Sequence, residues 1–426
     1  MKSRTRYGLI VTGIVAFIVL SPFIYLFVRG EKYDFKNHRF ITTGTLSVAT
    51  QPKGAHIYLN GVDTATSSTN IRFITPGDYN VQLKKDQYFD WSKRLNIRGQ
   101  YVTYANTIVS GITLFFSTPK KTNLASNIIN FFAGTEKLLY LTKDKAFIAD
   151  VGSPEKTDQI NLPTSLDKLD IISSPDENYF LLRSASTPFY GVIDVRAKTL
   201  IDITSLTTSE QILFSNNNEL FQIQSGTVYK IDWRLQQKNV ILKNILTFYP
   251  TAQNIYYISG QTLAVAQAPN YNPVVLLTNL PTFQTASLYL SDRNQLFIVG
   301  DGSLYSLDQG LRRISDYVNS VKFDNKNEKL VYSTNNEIDI YDLLNNSNYL
   351  VTRSSASIQN PIAVVDLGWV FMQSDNRLQS IEIDNRDHQN NYTFANISDT
   401  SKYFVDNVAK YLFLLSNGEL SRMQIR

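Results

Sequence analysis

Lys137-Leu138-Leu139-Tyr140, followed after a short polar hairpin by Ala146-Phe147-Ile148-Ala149-Asp150, is the stretch that decides the fold. Two apolar runs of strand length are separated by turn-forming residues, and the second run ends in Asp. The pair returns as Tyr179-Phe180-Leu181-Leu182 with Val192-Ile193-Asp194, and as Leu220-Phe221-Gln222-Ile223 with Val228-Tyr229-Lys230-Ile231-Asp232. It returns again near Ile255 and Leu263, Leu296 and Leu304, Leu330 and Ile338, Val370 and Leu378, and Leu412 and Leu420. Successive copies from Leu138 to Leu412 lie 34 to 42 residues apart.

An all-β repeat of this period reads as a β-propeller, each copy being a four-stranded blade. A fourth strand is visible in several copies, for example Gln159-Ile160-Asn161-Leu162 and Val274-Val275-Leu276-Leu277. The last copy stops at Arg426 without one. A strand from residues 111–126 is expected to complete it and close the ring, leaving no open edge. The expectation for 119–426 is eight blades, with seven blades and a stray hairpin as the alternative.

Outward from the repeat, the N-terminus carries a second strong pattern. Residues Tyr7 to Val28 hold no charge, and Lys2, Arg4 and Arg6 precede them. As a helix this run would reach about 33 Å, enough for a bilayer core. The cations place residues 1–6 in the cytoplasm by the positive-inside bias. A cleaved secretory signal is the alternative, but its apolar region is shorter and ends in a small-x-small site, whereas this run ends Leu26-Phe27-Val28. The expected fold class is therefore all-β with one N-terminal transmembrane helix at 7–28 and a linker at 29–43. The chain would be a single-pass cell membrane protein, its partner the membrane and its bulk extracytoplasmic. Pro22 is expected to kink the helix.

Residues 44–118 read as short alternating strands of a small β-sandwich. Thr45-Leu46-Ser47-Val48-Ala49-Thr50 alternates, Pro52-Lys53-Gly54-Ala55 turns, and His56-Ile57-Tyr58-Leu59 resumes before Asn60-Gly61. Asn-Gly is a tight-hairpin dipeptide because both central residues need positive φ. Pro76-Gly77-Asp78-Tyr79 makes a second turn, and Ile108 to Phe116 reads as a last strand. This succession resembles the PEGA domain, named for its Pro-Glu-Gly-Ala turn. The resemblance picks out Pro52, Gly54, Ala55, Asn60, Gly61, Pro76, Gly77 and Tyr79 as motif residues, with Lys53 in place of the glutamate and Gln87 in place of the glycine before Tyr88. It implies a cell-envelope module with turn geometry, not catalysis, as the role of the motif.

In the repeat, Ser174-Pro175-Asp176-Glu177-Asn178 resembles the Ser-Pro-Asp-Gly-Lys turn of TolB-like propellers, with the glycine and lysine replaced. The WD signature is missing, since Asp232-Trp233 runs in reverse order. Three tryptophans are too few for the tryptophan docking of quinoprotein propellers. The recurring Asp150, Asp194, Asp232, Asp308, Asp342 and Asp384 are expected to cap the turns after the third strands rather than to bind calcium.

Composition narrows the function. The chain has no cysteine, which removes thiolate catalysis and cysteine metal sites. His38, His56 and His388 are isolated, and packing is the expected role of His56. There is no Gly-x-Ser-x-Gly elbow and no phosphate loop. Residues 32–118 hold ten Lys/Arg against five Asp, and 119–426 hold 27 basic against 31 acidic residues. Neither balance is that of a nucleic-acid binder. The expectation is a non-enzymatic cell-envelope protein without cofactor or metal, presenting the PEGA-like module and a propeller platform to an envelope protein or glycan. A propeller-based hydrolase or lyase acting on glycan or peptide, and a structural spacer, are the alternatives.

Overall fold

The computed structural model describes residues 3–34, 38–107, 111–163, 166–184, 188–207, 211–308, 310–398 and 400–426. From residue 120 onward it is built of eight four-stranded antiparallel sheets. Seven use consecutive strands, within 130–161, 169–202, 212–242, 247–277, 286–315, 320–353 and 359–396. The eighth combines Lys402–Val405, Tyr411–Ser416 and Glu419–Gln424 with Lys120–Ala125, which pairs antiparallel to Glu419–Gln424. Among the described residues no sheet closes on itself as a barrel.

Both faces of each sheet are apolar because the second and third strands carry near-continuous apolar runs. Every sheet therefore buries side chains against two neighbours. Leu139 and Ile148 of the first sheet meet Phe180 and Leu182 of the second, and Leu181 and Val192 of the second meet Leu220 and Ile231 of the third. The series continues to Val370 and Met372 of the seventh and Leu412 and Leu414 of the eighth. Phe413 and Leu415 then pack on Leu138 and Tyr140, which returns the eighth sheet to the first. The arrangement is propeller-like, and its core is a circle of inter-sheet clusters.

The N-terminus requires a correction. A helix does form over Ser3–Val28, but among the described residues no helix is long and apolar enough to cross a membrane. Pro22 lies inside the Ser3–Val28 helix and withholds a backbone donor. The transmembrane helix at 7–28, the membrane as partner through that helix, and the single-pass localisation are thereby overturned. Lys2 lies outside the described residues, and Arg4 and Arg6 are described by their helical backbone alone. The expected linker at 29–43 contains a hairpin, Glu31–Asp34 paired with Arg39–Thr42, with Tyr33 edge-on to Phe40. Of the expected strand from Ile108 to Phe116, residues 108–110 lie outside the described residues, and Ile112–Thr113 is the strand present.

Sheets are also joined by polar clamps. Glu177 stands where a TolB-like turn would have glycine, and it keeps a left-handed φ of +56°. Its buried carboxylate accepts from the amides of Thr135 (2.6 Å), Glu136 (3.0 Å) and Lys137 (2.7 Å) and from the Thr135 hydroxyl (2.8 Å), all on the first sheet's hairpin. Four donors to one carboxylate offset the backbone strain of order 1 kcal/mol. Gly134 leaves room for it, since a Cβ there would collide with the Glu177 carboxylate. Glu177→Gln is expected to cost about 2–3 kcal/mol, because one amide nitrogen would face donors. Gly134→Ala should cost a similar amount, and the double variant little more than either alone, as read by urea unfolding.

Asp339 is a buried acid in the middle of the sixth sheet, opposite Tyr332. Burial pushes its carboxyl up, Glu337 adds to the effect and Arg353 opposes it, leaving it at about 6. Between about pH 4 and 6 the folded protein then holds a proton that the unfolded chain has lost, so stability falls as pH rises through this window. Asp339→Asn is expected to abolish that fall and to raise stability at pH 8 by on the order of 2 kcal/mol, measured by denaturant titration against pH.

Candidate functional site

The module ahead of the eight sheets has its own core. Val62–Thr66, His56–Leu59, Gly77–Lys84 and Trp91–Ile97 form one antiparallel sheet in that order. Gly44–Val48 lies between Thr69–Ile74, antiparallel, and Val102–Tyr104, parallel. Leu46, Ile57, Val81, Leu83, Trp91 and Leu95 are buried between them. The motif residues sit at turns of this scaffold. Asn60 and Gly61 take φ of +50° and +84° between two strands, and Asn60 Oδ1 accepts the Asn80 amide at 2.9 Å. Gly54 has φ +81°, Ala55 is buried, and the Pro52 carbonyl accepts the Thr50 hydroxyl at 2.7 Å. Pro76 is exposed, Gly77 opens the next strand, and the Tyr79 hydroxyl donates to Thr75 O at 2.9 Å. The eight residues are spread over three separate turns, at 52–55, 60–61 and 76–79. His56 differs from its expectation: it is exposed, with Nδ1 3.0 Å from Asp63 Oδ2.

The principal polar constellation joins this module to the seventh sheet. On Trp91–Ile97 the residues Trp91, Lys93, Leu95 and Ile97 share one buried face, so strand alternation carries a lysine inward. The Lys93 side chain is fully buried and lies 3.1 Å from Glu382 Oε2. Its ammonium donates to the carbonyls of Asp384 (2.7 Å) and His388 (2.9 Å). Glu382 also accepts from Trp91 Nε1 at 3.0 Å and from Asn390 Nδ2 at 2.7 Å. Arg386 clamps Asp384 from outside (Nη2 to Oδ2, 2.7 Å) and donates to the carbonyls of Tyr104 and Ala105. Burial opposes ionisation of Asp384, but Arg386 and Lys93 outweigh it and hold the carboxyl below the ordinary range. Around this centre Phe89 stacks on Tyr392 at 4.6 Å, and Phe115 inserts edge-on against Trp369 and Phe371.

The recurring aspartates divide by role. Asp194, Asp232 and Asp342 each accept two backbone amides from the following turn, and Asp384 accepts one from Arg386. Burial alone would raise Asp342, but Lys329 and the Asn345 and Leu344 donors bring it to about 2. Asp150 and Asp308 depart from the expectation: Asp150 pairs with Lys137, and Asp308 accepts from Asn346 Nδ2. Among the described residues no group of three or more His, Asp or Glu is placed to hold a metal ion.

A solvent-facing groove of about 370 Å³ lies between the second and third sheets, lined among others by Tyr179, Asn218, Glu219, Lys230, Trp233 and Arg234. The Arg234 guanidinium rests over the Tyr179 and Trp233 rings at 5.3 and 5.2 Å and donates to Tyr179 OH at 2.7 Å. Lys230 and Glu219 form an ion pair. Sequence reading passed over this groove, although Trp233-Arg234 directly follows a recurring Asp.

Residues 43–110 match the family model of the PEGA domain, so the chain carries a PEGA domain there. No curated protein matches the chain. Among solved structures it is similar to PorZ of Porphyromonas gingivalis, described as an essential bacterial surface component of the type-IX secretion system. That match has 10% identity and a TM-score of 0.42, and covers 71% of this chain and 46% of that one. It is also similar to a structure described as the eukaryotic initiation factor, at 11% identity and a TM-score of 0.45, covering 66% of this chain and 96% of that one. The chain thus aligns with less than half the length of PorZ.

Lys93→Met is expected to cost about 3–5 kcal/mol at neutral pH, because it strands Glu382 and Asp384 in a buried site. Adding Glu382→Gln should recover part of the loss, since one uncompensated charge is then removed. Chemical denaturation of the two variants beside the wild type checks both statements.

Proposed function

We propose that the chain is a non-enzymatic recognition protein of the cell envelope, holding its PEGA domain rigidly on the seventh sheet and offering the groove between the second and third sheets to a partner. One observation carries the reading: the buried Lys93–Glu382–Asp384 network fixes one module on the other, the geometry a two-part recognition scaffold needs. The envelope setting rests on the kind of module the PEGA domain is. The groove supports binding rather than turnover, because its charged groups are committed to each other, to ring faces or to turn amides.

The test uses the full chain as bait in cross-linking to an envelope extract. A component recovered by the wild type should be lost with Asn218→Ala/Arg234→Ala and kept with Lys156→Ala on the exposed outer strand of the first sheet. Equal recovery by both variants, or no recovery above a beads-only control, would overturn the reading. So would turnover of envelope glycan or peptide by the purified chain.

A further inference from the structure

The groove between the second and third sheets holds an arginine that is fixed in place but only partly used. The Arg234 guanidinium lies over the Tyr179 and Trp233 rings, at 5.3 and 5.2 Å, and its Nη2 donates to Tyr179 OH at 2.7 Å. A guanidinium carries five N–H donors in one plane. The rings cover its face, and one donor is spent on the hydroxyl. Among the described residues its other donors meet no acceptor, and no carboxylate lies within ion-pair distance. The side chain is exposed and lines the groove. The other cation there, Lys230, pairs with Glu219, and Asp232 Oδ1 takes the amides of Arg234 (3.0 Å) and Leu235 (2.9 Å). The edge of Arg234 is therefore a cationic fork, held in place and open to solvent.

Two other arginines of this molecule show what completes such a guanidinium. Arg312 lies over the Tyr341 ring at 5.5 Å and donates to its hydroxyl, and Nη1 and Nη2 also reach the Asn346 carbonyl. Arg386 stands in an Asp-x-Arg turn like that of Asp232-Trp233-Arg234, with its amide on the aspartate Oδ1 in the same way. It takes the Asp384 carboxylate and the carbonyls of Tyr104 and Ala105 from the PEGA domain. Oxygen acceptors fill the edge in both cases, and at Arg386 they come from a carboxylate and from a polypeptide backbone. Arg234 has neither. Beside it Leu235 is 66% exposed, so an apolar side chain stands next to the unpaired cation. A sugar acid would offer the carboxylate with little apolar surface, whereas a peptide offers both.

We infer that this groove docks an extended protein segment carrying an acidic residue next to an apolar one, the carboxylate accepting from the free edge of Arg234 and the apolar side chain covering Leu235. The inference deepens, and rests on, the reading of the groove as the recognition site. Stacking on the two rings holds the fork before the segment arrives, so less side-chain freedom is lost on binding. A lysine in this position would keep the charge and lose the paired geometry.

The experiment uses the full chain with its tryptophan indoles labelled by ¹⁵N. The signal of Trp233, identified by Trp233→Phe, reports the groove, and those of Trp91 and Trp369 report an intact fold. The probes are a blocked hexapeptide of alternating Glu and Leu, its counterpart with Gln for Glu, and a tetramer of galacturonic acid. The Glu peptide should shift the Trp233 signal saturably and leave the other two in place. Its binding should weaken by about tenfold with Arg234→Lys, and by as much when Gln replaces Glu, the equivalent of one charge-assisted hydrogen bond. Leu235→Ser should weaken it severalfold, and the tetramer should bind less tightly than the peptide. No saturable shift with the Glu peptide, equal binding of the Gln peptide or the tetramer, or binding untouched by Arg234→Lys or Leu235→Ser would overturn the inference. If the peptides fail while Asn218→Ala/Arg234→Ala still loses the envelope component, the acidic-segment assignment falls and the recognition reading stands. If that loss is also missing, both fall.

Discussion

A lysine ammonium sealed between two modules sets the terms for the rest of this molecule. Lys93 is inaccessible to solvent and faces two carboxylates and two backbone carbonyls. A charge in that position is tolerable only when its partners are fixed within tenths of an ångström. The requirement runs outward. Glu382 must be aimed by Trp91 and Asn390, Asp384 by Arg386, and Arg386 by the carbonyls of residues 104 and 105. The PEGA domain and the seventh sheet therefore share one polar centre, wrapped by Phe89, Phe115 and Tyr392. An apolar contact of the same area would hold the modules together with less say over their angle; hydrogen bonds and charge pairs specify register as well.

The circular core works differently. Each of its interfaces is apolar and local, so stability comes from many similar clusters rather than one centre. Glu177 shows how such a system is tuned. It stands at a position that favours glycine, and its carboxylate reaches back to the preceding sheet instead. The repeat thereby gains a polar tie between sheets at a site where local backbone preference argues against any side chain at all.

This contrast explains what was legible in the sequence. The repeat could be read because burial on both faces forces apolar runs, and eight such runs at near-constant spacing leave few other architectures. The turns of the PEGA domain could be read because Asn60-Gly61 and Gly54 need backbone angles that few residues adopt. The N-terminal run misled, because absence of charge over 7–28 was taken for a membrane span, whereas among the described residues no helix is long and apolar enough to cross one. The junction was nearly legible: Lys93 falls on the inward phase of Trp91-x-Lys93-x-Leu95-x-Ile97. Its partners lie about 290 residues away, and no local pattern announces a pairing across that distance. Asp384 was read as one more turn cap, which it is, but its second role depends on that long-range contact.

The groove marks a different limit. Asp232 was legible as a turn cap, and the cap places Arg234 above the Tyr179 and Trp233 rings. Asn218 and Trp233 come from two turns of the third sheet, and Tyr179 reaches them from the second. The Arg234 guanidinium is the tie between the two sheets, since it lies over a ring from each and donates to the hydroxyl of Tyr179. That meeting depends on how neighbouring sheets stack, which no local pattern around Trp233-Arg234 announces.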